Sequence, residues 1–86
     1  MRDDVELLRR AGEALYGDGD WRRPMARLLG AHHPDGPRDE VDPRSVSRWS
    51  NGVREVPDWV WPVLARLLRE RAADAAEVAR DIEGTT

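Results

Sequence analysis

Apolar residues recur every three or four positions in four stretches of this chain, and no stretch alternates as a half-buried strand would. In residues 3–16, Val5, Leu8, Ala11, Gly12 and Leu15 mark one face of a first helix, widened by Leu7 and Ala14. Asp3 and Asp4 suit its start, and Gly17-Asp18-Gly19 stops it. A second, short helix carries Trp21, Met25, Leu28 and Leu29. Asp20 is its expected cap and Gly30 its natural C-terminal residue, and Pro24 is tolerated only in its first turn. Residues 31–41 hold two Pro, one Gly and no periodicity, and predict a loop. Asp42-Pro43 reads as a cap followed by Pro at the first helical position, opening a short third helix to Ser50. Val46 and Trp49 share one face of it, and Asn51-Gly52 ends it. Pro57 opens a long last helix over 57–83, whose stripe weakens from Leu to Ala after Arg71. The pattern predicts one all-α domain over 1–86, a small bundle of four to five helices.

With 86 residues, four Trp, no Phe and no Cys, the core must be small and aromatic-dependent. Trp21, Trp49 and Trp61 fall on apolar faces, which leaves Trp59 as the one expected outside. The missing Cys excludes a disulfide framework and a thiolate metal site. No apolar run reaches the ~20 residues of a membrane span, and the charged first residues do not resemble a signal peptide, so a cytoplasmic protein is expected. The net charge of −3 hides a pattern: residues 21–54 hold seven Arg against four acids, whereas acids outnumber Arg on both sides. A local positive field attracts a polyanion even on an acidic domain.

The string Met25-Ala26-Arg27-Leu28-Leu29-Gly30, followed by Ser45-Val46-Ser47-Arg48-Trp49-Ser50-Asn51-Gly52, resembles the helix-turn-helix of the lambda-repressor/Cro-like family. Ala26 stands at the small position where the two motif helices cross, and Leu29, Val46 and Trp49 fit the motif core. Arg54-Glu55-Val56-Pro57 looks like the family's exit loop, and the likeness covers roughly residues 12–71. One departure is large: eleven residues, Ala31 to Val41, replace the short turn usual in the family. With net charge −2 and little apolar content, this loop is expected to stand off the core and away from phosphates.

The resemblance implies sequence-specific binding of double-stranded DNA by a small regulator of bacterial or phage type. A recognition helix inserts its N-terminal part in the major groove. Arg44, Ser45, Ser47 and Arg48 are therefore the candidates for base contact. Arg22 and Arg23, at a helix start with free N–H groups, are candidates for phosphate, as are Asn51 and Arg54 at the exit turn. Each also has a plain reading as solvated helix face or turn former. A homodimer is expected, joined through Ala72, Ala75, Ala79 and Ile82, or else that stripe folds back on the first helix. No catalytic constellation, cofactor or metal site is expected, since His32 and His33 lie side by side on a loop without further ligands. The competing reading is a helical protein-interaction module without direct DNA contact, meeting a protein through the 31–41 loop or the C-terminal helix.

Overall fold

The computed structural model describes residues 3–85, with four helices and no strand among them: α1 Asp4–Tyr16, α2 Arg22–Ala31, α3 Pro43–Ser50 and α4 Val60–Gly84. Local chemistry sets most ends. Asp3 caps α1 by accepting from the Glu6 N–H at 3.1 Å, and Gly17, at φ 80°, closes it by donating to Glu13 O at 2.7 Å. At α2 the cap position falls to Trp21, which makes no side-chain cap bond, and the expected cap Asp20 stands one residue earlier, accepting from the Arg22 N–H at 3.1 Å. Asp42 accepts from the Arg44 N–H at 2.9 Å, with Pro43 at the first position of α3. At the far end of α3, Gly52 (φ 75°) donates to Trp49 O at 3.2 Å and Val53 to Arg48 O at 2.9 Å. That pair of bonds is the glycine-terminated Schellman arrangement, which satisfies carbonyls a helix end would leave bare.

Two helix ends differ from the sequence reading. α4 opens at Val60, not Pro57; residues 57–59 form a turn closed by the Val60 N–H on Pro57 O at 3.0 Å. Pro62 explains the shift. It lacks an N–H, which costs nothing in the first turn but would break the ladder of a helix begun at Pro57. Gly30 does not end α2 either, since the helix runs on to Ala31. Gly30 is buried, and a Cβ there would stand 2.5 Å from Glu40 Cα. Its missing side chain lets the returning chain lie against the helix.

That contact corrects the expectation of a free-standing loop. Residues 31–41 fold back, with Arg38 N–H on Gly30 O at 2.8 Å and Val41 N–H on Ala26 O at 2.9 Å. The His33 ring meets Trp59, centroids 5.2 Å apart, and His32 Nδ1 lies 2.9 Å from Arg66 Nη2 on α4. Trp59, expected outside, is thereby half-buried, and Trp61 is also only half-buried.

The core is built from all four helices: Leu8 and Leu15 of α1, Met25, Ala26 and Leu29 of α2, Val46 and Trp49 of α3, Val60 and Leu64 of α4, with Trp21 and Val56 from the connections. α1 touches each of the other helices, and α2 packs along α3. Arg71 ties α4 to the body, its Nη1 donating to Leu15 O at 3.0 Å. From Arg69 to Thr85 every residue is exposed. The long axis is accordingly 49 Å against 29 and 24 Å.

Candidate nucleic-acid interface

α3 is eight residues long and has two unlike sides. Val46 and Trp49 are buried. Arg44, Arg48 and Asn51 are exposed, at the helical spacing that puts them on the opposite side, and half-buried Ser47 flanks them. The structure thus brings four of the sequence-derived candidates onto one face. Ser45 is not among them. It lies on the other flank, in a small pocket of about 260 Å³ shared with His33, Trp49 and Trp59. Ser45 therefore belongs with the folded-back loop, one hundred degrees round the helix from Arg44 by its pitch.

Arg44 extends into solvent with 82 % of its side chain accessible, and its Nε stays 3.5 Å from Asp42 Oδ1. The Arg44 N–H holds the Asp42 carboxyl below the usual carboxylate range, helped by the charges of Arg44 and Arg48. One carboxylate so starts the helix and lies beside the first guanidinium of its exposed face.

Arg22, from the start of α2, joins this surface through a side chain that the sequence reading overlooked. Its Nε donates to Ser50 Oγ at 3.0 Å, and Ser50 Oγ donates to Ser47 O at 2.8 Å. The guanidinium also lies 4.9 Å from the Trp21 ring centre, with Nη1 3.7 Å from Asp20. The start of α2 is thereby tied to the end of α3. The donor and acceptor stand 28 residues apart, so no local pattern could have paired them. Arg23 is exposed beside it. Arg54 is exposed past the turn, its N–H directed at Arg48 O at 3.3 Å. Ala26, Leu29, Val46 and Trp49 are all buried between α2, α3 and the rest of the core.

No family model, curated protein or solved structure matches the chain. Among the described residues no helix is long and apolar enough to cross a membrane, and no group of three or more His, Cys, Asp or Glu side chains is placed to hold a metal ion.

Proposed function

We propose that α2 and α3 form a helix-turn-helix of the lambda-repressor/Cro type, with an expanded turn, and that the protein binds double-stranded DNA sequence-specifically as a small cytoplasmic regulator. The observation that carries this reading is the exposed α3 face of Arg44, Ser47, Arg48 and Asn51, flanked by Arg22 and Arg23. Arg44 and Arg48 suit the acceptor pair of a guanine edge in the major groove. Arg22, Arg23 and Arg54 suit phosphates, contacts that set register but carry no sequence information.

Selection of duplexes from a random pool at fixed salt, followed by titration, tests this. Arg44→Ala is expected to lose about 1–3 kcal/mol on the selected sequence and to relax preference at one position. Arg23→Ala is expected to weaken all duplexes alike and flatten the salt dependence by about one contact. A chain that enriches no sequence and binds no duplex at low salt overturns the reading. The second reading, a protein-interaction module, draws on a different surface: an open apolar groove of about 690 Å³ between α1 and α4.

A further inference from the structure

That groove is lined by Leu7, Ala11 and Ala14 of α1 and by Trp61, Ala65 and Leu68 of α4, with Arg10 and Glu13 at its edge, Glu13 being paired with Arg9 at 2.7 Å. On α4, Trp61, Ala65 and Leu68 begin a stripe spaced by four and three residues. Ala72, Ala75, Ala79 and Ile82 continue it without a break onto the exposed half of the helix. Alternate steps of three and four are the seam of a helix pair. One seam thus runs through a groove and then along a projecting arm, and 60 % of Ile82 is open to water.

We propose that a second copy of this chain covers both, with the two α4 helices antiparallel and each projecting arm, residues 72–84, lying in the other's α1/α4 groove. Length supports this occupant. Ala72 divides the seam nearly in half, with Trp61 eleven residues before it and Ile82 ten after it. Arg71, which marks where the body ends, adjoins that midpoint. A two-fold axis at Ala72 sets Ala75 against Leu68, Ala79 against Ala65 and Ile82 near Trp61. The arm sets the small Ala75 against Leu68, and the small pair Ala79 and Ala65 lets the two helices approach closely. Charge fixes the direction. Residues 60–71 carry three Arg and one Glu, whereas residues 72–85 carry four acids and one Arg. Antiparallel helices put the acidic arm over the basic half of the partner's α4, while Arg10 and Glu13 offset each other on the α1 side; parallel helices would put like on like. Arg71 does not oppose its own copy across the axis, because its guanidinium is turned onto Leu15 O.

This pairing is independent of what α3 contacts and is tested without DNA. The full chain is expected to sediment as a dimer at tens of micromolar; a monomer there overturns the proposal. Ala72→Glu places two carboxylates at the axis, and Ala14→Glu places one in the groove. Both positions are exposed, so the helical circular dichroism of the variants should match the parent. Each is expected to raise the dimer dissociation constant about tenfold or more. A dimer that tolerates Ala14→Glu overturns the groove as the arm's seat. The chain has no Cys, so engineered pairs report direction. Ala65→Cys mixed with Ala79→Cys should cross-link on oxidation, while Ala79→Cys alone should not; the reverse pattern means parallel helices and overturns the proposed arrangement.

Discussion

Gly12 sits in the apolar stripe of α1, where Ala would be the better helix former by about 1 kcal/mol. The Trp21 indole lies directly over it, so closely that a Cβ would enter the ring. Trp21 is buried and cannot swing aside, and overpacking of this kind costs about 1–3 kcal/mol. Crowding outweighs propensity. Gly12→Ala is therefore expected to lower the melting temperature, and a rise would mean the ring moves freely. Trp49→Ala works in the opposite sense, by leaving a void where α3 meets the core. Loss of a buried aromatic costs about 3–5 kcal/mol, a large share of a small domain's stability. Thermal melting measures both. The sequence placed Gly12, Trp21 and Trp49 on inward faces because periodicity reports direction. It did not show that Gly12 and Trp21 touch, because the partner of a glycine leaves no mark in the pattern.

At the scale of the elements, α3 depends on its cap. Asp42 holds its proton less tightly in the fold than in an unfolded chain, where roughly 3.9 is usual. A carboxyl with a depressed folded value adds stability that is complete above the unfolded value and is lost as the pH falls through the folded one. Asp42→Asn keeps a capping oxygen but removes the titration. Followed by tryptophan emission, the parent is expected to lose stability more steeply than this variant below about pH 4. Parallel acid curves would mean that folding leaves the titration of the Asp42 carboxyl unperturbed. The helices and their caps were legible because caps, prolines and Gly52 act within a few residues of where they stand. The fold-back of residues 31–41 was not. It is held by main-chain bonds to Gly30 O and Ala26 O, which side-chain composition does not encode. Gly30 was the one signal, and its place before a proline-rich stretch disguised a close approach as a helix end.

For the whole molecule, the division at Arg71 matters most. The body contains every buried side chain, and the arm contains none. A chain stopped after Arg71 is expected to keep the near-ultraviolet signature of its packed tryptophans. It should also lose the rise of melting temperature with protein concentration that a dimer imposes. Loss of the tryptophan signature would show that the arm supports the body directly. The candidate interface was legible as residue types on a helix. Its closure was not, since the Arg22–Ser50 bond joins elements that only the tertiary fold brings together.

Val60 and Leu64 complete a core whose other members lie between Leu8 and Val56. During synthesis, α1, α2 and α3 therefore emerge from the ribosome before their last two partners do. α2 and α3 are close neighbours in sequence and can meet early, whereas the packing of α4 on α1 must wait across some of the longest separations in the chain. His33 and His32 likewise await Trp59 and Arg66 before the loop beside α3 is pinned. The loop that flanks α3 is thus pinned by a segment made after it, while α3 itself rests on α1 and α2. A nascent chain carries the face of α3 before the loop on its flank is fixed.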